Sequence, residues 1–400
     1  MQAARESIVG REVELDLLDA FVGGEGGAAV LAILEGEAGV GKTALWSAAA
    51  DEARARGARV LIARPTAAEA GSSYSALDDL VRPALEVLPR IEGPGRRALA
   101  TALLLEDAVH APEPRIVAFG VLSALEELAT QAPVLVAIDD WQWLDAASDA
   151  VLTFALRRLP SDGIRVLVTA RTGDADDALA ALVRSLAEGQ ALEIPVGPLE
   201  PAALQRLVHD RTGTWLSPPA LRRLHAASRG NPLAALELVR ADADVVPATD
   251  VRRLLAARMA RLSRDAREVL RCVAALAGPH SGAVEAASDD PVAARRGLEE
   301  ALAAQVLERD GERLRFAHPL MAAVTAERTP PGQWRALHSR LAGAVRDPEQ
   351  RARHLALAAS GPDADVATAL DAAAARAAAR GAPATAAELA ERAGTLTPAG

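Results

Sequence analysis

The chain has 400 residues, half of them hydrophobic but only 2% aromatic, and a formal net charge of −10. That length allows roughly two to four domains, the interior must be filled by Leu, Val and Ala, and the acidic balance argues against the whole chain being a polyanion binder. The single cysteine, Cys272, excludes an intramolecular disulfide and suits a reducing compartment.

The N-terminus MQAARESIVGRE is too polar for a signal peptide, and no apolar run approaches the roughly 18 residues of a membrane span. A cytoplasmic protein without membrane contact is expected. Ile8-Val9-Gly10-Arg11-Glu12 opens an amphipathic helix carrying Val13, Leu15, Leu17, Leu18 and Phe21, and Gly23 to Gly27 connect it to the first strand. Val30 to Leu34 form that strand, and Gly36-Glu37-Ala38-Gly39-Val40-Gly41-Lys42-Thr43 follows directly. A helix from Ala44 to about Ala55 comes next. Strand, GxxxxGK[ST] loop and helix make a phosphate-binding P-loop in its confirming context. Glycines let successive N–H groups face one anion, and the helix adds its positive end. Residues Gly36 through Ala44 are therefore expected to hold ATP or ADP, with Lys42 at the β- and γ-phosphates and the Thr43 hydroxyl on Mg²⁺. Lys42 is the only lysine in the chain; every other basic residue of this kind is arginine. A compact ammonium among phosphates is not replaceable by a guanidinium.

Arg59 to Ala63 reads as a second strand, and Ser72 to Ala132 as helices broken at prolines. Pro133 to Ile138 then gives an apolar strand that ends on Asp139-Asp140. Unalternating apolar residues suit a strand buried on both faces. Two acids at its C-terminal end suit the crevice where ligands of such sheets sit. In this Walker B pattern Asp139 is the expected Mg²⁺ residue and Asp140 the residue that orients or deprotonates the attacking water. A helix over Ser148 to Leu159 precedes a fourth strand, Ile164 to Thr169, with Arg171 just beyond it as a γ-phosphate sensor candidate. A helix from Asp174 and a fifth strand, Leu192 to Val196, complete the sheet.

From Pro201 to Arg240 the pattern is helical, interrupted at Gly230-Asn231-Pro232, where proline suits a helix start. Two arginine-rich helices follow from Asp250, then a helix from Pro291. Asp310-Gly311 between Val306–Arg309 and Arg313–Phe316 signals a hairpin, and a helix from Pro319 completes a winged-helix pattern. Beyond Gln333, alanine-rich helical segments of about 15 residues resemble the start of a repeat array that the chain only begins.

VGRE, GEAGVGKT, VAIDDWQWLD, TAR, RGNPLAALEL, FAHPL and ARHLALAA occur in the order found in the STAND ATPases (signal-transducing ATPases with numerous domains). Together they resemble the N-terminal part of the bacterial LuxR-type, MalT-like large ATP-binding regulators. The resemblance implies an α/β P-loop domain over 1–198, with an ASCE-type five-stranded parallel sheet in the order 5-1-4-3-2. It further implies an all-α remainder: a small helical domain over 199–247, a winged-helix domain over 248–330 and TPR-like repeats over 331–400. By motif position, Val9 and Arg11 would line the adenine site, Pro232 would close over it, and His318 would contact ADP. The implied activity is slow, regulatory conversion of ATP to ADP and phosphate, coupled to nucleotide-dependent self-association and to a small-molecule or protein inducer. Regulators of this kind read DNA through a C-terminal helix-turn-helix, which is not found in this chain. The alternatives are an AAA-type motor and a stand-alone nucleotide-dependent scaffold.

Overall fold

The computed structural model describes residues 8–24, 29–108, 110–159, 163–173, 177–241 and 251–398. Most of the Gly23–Gly27 connection, the helix start at Asp174, the boundary at 247/248 and the start at Asp250 lie outside the described residues. Five strands, β1 (Leu31–Gly36), β2 (Arg59–Ala63), β3 (Val134–Ile138), β4 (Ile164–Arg171) and β5 (Ala191–Pro195), form one parallel sheet in the order β2-β3-β4-β1-β5. This is the order expected from the sequence, read from the other edge.

The strands carry no polar alternation because both faces are covered. Leu31 and Ile33 of β1, Val134, Val136 and Ile138 of β3, and Val166 and Val168 of β4 enter one core. Their neighbours Ala32, Leu34, Leu135, Ala137 and Leu167 enter the other. The second face is closed by helices Glu12–Gly23 and Lys42–Ala55, through Leu18, Phe21, Leu45 and Trp46. The first is closed by helices Ser75–Val81, Pro94–Ala102, Pro114–Ala129 and Ala146–Leu156.

That first core also takes in the end of the chain. Leu370, Ala373 and Ala377 of helix Ala364–Ala379, with Leu389 and Ala393 of helix Pro383–Leu396, are buried in it. A fully buried leucine contributes roughly 1.5–3 kcal/mol, so these helices are held to the sheet's own helical layer. Two further cores lie between. One joins helices Pro201–Thr212, Pro218–Ser228 and Pro232–Arg240. The other joins helices Val251–Ala260 to Pro291–Ala303, the hairpin β6 (Leu307–Asp310) and β7 (Arg313–Phe316), and helices Pro319–Arg328 and Pro331–Ala344. Gly311 turns the hairpin at φ +60°, with Asp310 paired to Arg313, as a two-residue loop requires.

Element ends depart from the sequence reading where a local bond moves them. The P-loop helix begins at Lys42, because Gly41 at φ 108° takes the N-cap position. The helix after the acid pair begins at Ala146, because the Asp145 carboxylate accepts the Ser148 N–H. Strand β4 continues to Arg171 because its ladder with β1 runs on to the Gly36–Arg171 pair. Among the described residues no helix is long and apolar enough to cross a membrane.

Candidate nucleotide site

The P-loop leaves β1 at Gly36, where a Cβ would stand 2.4 Å from the Val196 carbonyl oxygen. Gly39, at φ +81°, lies against a second wall, since a Cβ there would meet Leu233 Cβ at 2.8 Å. No side chain larger than hydrogen fits either place without a shift. Lys42 is buried, and its Nζ donates to the carbonyls of Gly36 (2.7 Å) and Glu37 (2.9 Å). Burial pushes its pKa down, with Asp140 the largest influence in the other direction. Thr43 and Ala44 stand exposed at the start of the helix.

Across the crevice, β3 delivers Asp139, only 2% exposed. Its Oδ1 accepts from Thr43 Oγ1 (3.3 Å) and from Thr169 Oγ1 (2.7 Å). The Thr169 hydroxyl also accepts the Asp140 N–H at 2.7 Å, so one side chain of β4 fixes both acids. Burial, and then the Asp140 charge, raise the Asp139 pKa; hydrogen bonds from Thr169 and Thr43 and the positive charge of Arg315 oppose them. Asp140 adopts the left-handed conformation (φ 57°, ψ 59°). Its Oδ1 accepts from Gln142 Nε2 at 2.7 Å and lies 3.9 Å from Arg171 Nε. The Arg171 guanidinium in turn sits 5.6 Å from the Trp143 ring centre. A positive φ at a non-glycine residue costs of order 1–3 kcal/mol and concentrates at functional sites.

The motifs before and after the sheet meet on this loop. Arg11 Nη2 donates to the carbonyls of Val40 (3.0 Å) and Gly197 (2.5 Å), tying the P-loop to the exit of β5; Val9 beside it is buried. Asn231 Nδ2 donates to the Ala38 carbonyl (3.0 Å), and the Leu233 N–H donates to the Gly39 carbonyl (3.3 Å). Pro232, the first residue of its helix, therefore stands between two residues bonded to the loop. His318 caps helix Pro319–Arg328, its Nδ1 accepting the Leu320 N–H at 3.1 Å. It also feels the charges of Asp140, Arg171 and Lys42, and burial pushes its pKa down to about 4.

Arg11, the Gly36–Ala44 loop, Asp139, Asp140 and Arg171 are thus joined by hydrogen bonds and ion pairs at one end of the sheet, Val9 and Pro232 adjoin residues bonded to the loop or beside it, and His318 feels the charges of Lys42, Asp140 and Arg171. Sequence reasoning missed Thr169, Gln142, Asn231 and Arg315. Gln142, Thr169 and Asn231 lie inside the motifs VAIDDWQWLD, TAR and RGNPL, but only the fold shows what their side chains hold. A glycine cradle with a helix start behind it suits a polyphosphate. The hydroxyl and carboxylate of Thr43 and Asp139 are hard oxygen donors of the kind Mg²⁺ takes.

Residues 7–169 match the family model of the AAA ATPase domain. No curated protein matches the chain. Among solved structures, it is similar to the STAND protein with a tetratricopeptide repeat sensor, PH0952, from Pyrococcus horikoshii, at 15% identity and a TM-score of 0.59. That match covers 96% of this chain and 58% of the other, so this chain spans less than two thirds of that protein's length. Weaker matches are the Walker-type ATPase paby2304 of Pyrococcus abyssi (16% identity, TM-score 0.39, 80% of this chain and 97% of that one) and the ORC2 protein of Aeropyrum pernix (16%, 0.38, 79% and 94%). The chain has the fold of a P-loop nucleoside triphosphatase, and its residues 7–169 match an AAA ATPase domain.

Proposed function

We propose that this chain is the ATP-binding, slowly hydrolysing switch of a signal-transducing ATPase, the sensor and ATPase part of a LuxR-type regulator. Its proposed divisions are a nucleotide-binding unit over 1–198, a small helical unit over 199–247, a winged helix over 248–330 and the start of TPR-like repeats over 331–400. Bound Mg²⁺-ATP would bring the reactive γ-phosphoryl group and the cation that offsets its charge. Lys42 would trade its bonds to the Gly36 and Glu37 carbonyls for phosphate oxygens, and Thr43 and Asp139 would hold the cation. Asp140, oriented by Gln142 and its own backbone, would position water, with Arg171 facing the γ-phosphate. Val9, Arg11 and Pro232 would border the base. An inducer and nucleotide-dependent self-association are part of the same proposal, and DNA contact is assigned to a further C-terminal segment.

One observation carries the switch reading. His318, far along the chain and at the head of a different core's helix, lies within electrostatic reach of Lys42, Asp140 and Arg171. This placement supports a segment that responds to the nucleotide. Small-angle scattering tests this: ADP should keep the particle compact, and a non-hydrolysable ATP analogue should expand it or promote association. Superimposable profiles with both nucleotides shown to be bound would refute the switch.

A further inference from the structure

Away from the P-loop crevice, a cavity of about 360 Å³ opens where helices Pro331–Ala344, Pro348–Ala358 and Pro383–Leu396 meet the loop that follows β2. Pockets that take small molecules fall in the range of about 300–1,000 Å³. Two buried histidines line it: His338, 2% exposed, and His354, 6% exposed, with their Nδ1 atoms 2.8 Å apart. Such a contact needs a proton on one Nδ1 and a lone pair on the other, so both rings cannot be imidazolium at once. Burial pushes both down to about 4, and the pair is neutral at pH 7.

His338 Nε2 is buried with no hydrogen-bond partner. Whichever ring donates at Nδ1, this nitrogen is left as either a bare acceptor or an unused N–H. A hydroxyl group answers both cases, since it can donate and accept. Arg353, on the same wall, spends its two Nη groups on Glu388 (2.7 and 2.9 Å), and its Nε is likewise buried without a partner. Arg392 adds a second guanidinium whose charge acts on Glu388. Two arginines therefore face one carboxylate, and the lining carries a net positive charge. The rest of the wall is mostly small or apolar, with Ser72 and Gln350 its other polar side chains and the Trp334 ring edge-on to His338 at 5.0 Å.

We infer that this cavity is a small-molecule site for a compact aromatic hydroxy acid, its hydroxyl on His338 Nε2 and its carboxylate toward Arg353 and Arg392. The inference is independent of nucleotide binding, because it uses no residue of the P-loop crevice.

Isothermal titration of the full chain with 4-hydroxyphenylacetate, 4-hydroxybenzoate and salicylate tests it. At least one should bind saturably, and its analogues lacking the hydroxyl or the carboxylate should each bind about tenfold more weakly or worse. His338→Phe should erase the preference for the hydroxyl, while Arg392→Gln, on a half-exposed residue that leaves the histidine pair intact, should erase the preference for the carboxylate. Circular dichroism would show whether His338→Phe is folded; if it is not, Arg392→Gln and the analogue series on the wild type still decide. No saturable binding of any of the three acids, or binding indifferent to the hydroxyl, the carboxylate or Arg392, would overturn the assignment.

Discussion

Thr169→Val removes one hydroxyl and almost no volume, so it isolates what that hydroxyl does. In the fold it donates to Asp139 Oδ1 and accepts the Asp140 N–H, both at 2.7 Å, and it is fully buried. A hydrogen bond to a charged group is worth about 1.5–3 kcal/mol, and a buried N–H left alone costs about 1–3 kcal/mol. The two are parts of one network, so we expect about 2–4 kcal/mol of destabilisation, read by urea unfolding. The Asp139 pKa, already raised by burial, should rise further, because the Thr169 bond is the strongest influence holding it down. Deprotonating Asp139 for a cation would then cost more. Mg²⁺-ATP affinity should fall about tenfold or more, while affinity for ATP in EDTA should barely change. The paired titrations, with and without Mg²⁺, make the assay specific. If Thr169→Val unfolds like the wild type and loses no Mg²⁺-dependent affinity, the hydroxyl bridge and the cation role of Asp139 are both wrong.

Lys42 carries the only side-chain amine in the chain, so an amine-acetylating reagent has one internal target; ATP or ADP should protect it, and equal labelling by mass spectrometry at saturating nucleotide would place it outside the phosphate site. Arg380 donates to Glu349 (3.0 Å), to the Ser73 carbonyl (3.0 Å) and to the Ala102 carbonyl (2.8 Å). Arg380→Ala leaves the buried Glu349 carboxylate uncompensated and should cost about 3–5 kcal/mol; adding Glu349→Ala should restore part of it, and additive losses would deny the coupling. For His318 the folded pKa of about 4 lies below the ordinary 6.5. The unfolded chain therefore binds the proton first as pH drops, and the stabilisation present above pH ~6.5 is lost progressively toward pH 4, up to about 2 kcal/mol by pH 5. His318→Asn, which can still cap its helix, should flatten that part of the unfolding profile; Asp139, Asp145 and Glu69, whose pKa values are raised, act in the opposite sense, so an unchanged slope between pH 6.5 and 5 is the refuting result.

The sheet was legible because its signals are local. β1, its glycine loop and the helix after it are consecutive, and a strand buried on both faces leaves an unmistakable apolar run such as Val134 to Ile138. The hairpin was legible for the same reason, through Asp310-Gly311. What the sequence could not reveal is contact between segments with no shared period. Helices Ala364–Ala379 and Pro383–Leu396 read as the start of a separate array, yet their leucines are buried in a core of the sheet. Their alanine-rich faces look the same whether they pack on each other or on the sheet layer. Asn231 reads as a helix cap, which it is, since its side chain accepts the Ala234 N–H. That its amide also donates to Ala38 depends on a loop 193 positions away in sequence.

The acid pair and the end of the chain are joined through a short covalent and hydrogen-bonded path. Asp145, five residues beyond Asp140, is buried, accepts the N–H groups of Tyr74, Ala76 and Ser148, and so fixes the start of two helices at once. Tyr74, the only tyrosine, is held in the left-handed conformation at φ 59°. Its hydroxyl donates to the Gly381 carbonyl at 2.6 Å, at the turn between the two C-terminal helices. Beside it, Arg380 bonds the Ser73 carbonyl and Glu349. Movement of the Asp140–Asp145 loop would therefore either break the bonds from the Tyr74 and Ala76 N–H groups to Asp145 or carry Tyr74 along, and in the second case its hydroxyl would give up Gly381. Burial raises the Tyr74 hydroxyl pKa beyond its ordinary value, so it remains a neutral donor. A buried donor left unpaired costs about 1–3 kcal/mol, comparable to the coupling energies of about 1–3 kcal/mol by which one site biases another. The Tyr74–Gly381 bond is thus of the right size to couple the acid loop to the C-terminal helices.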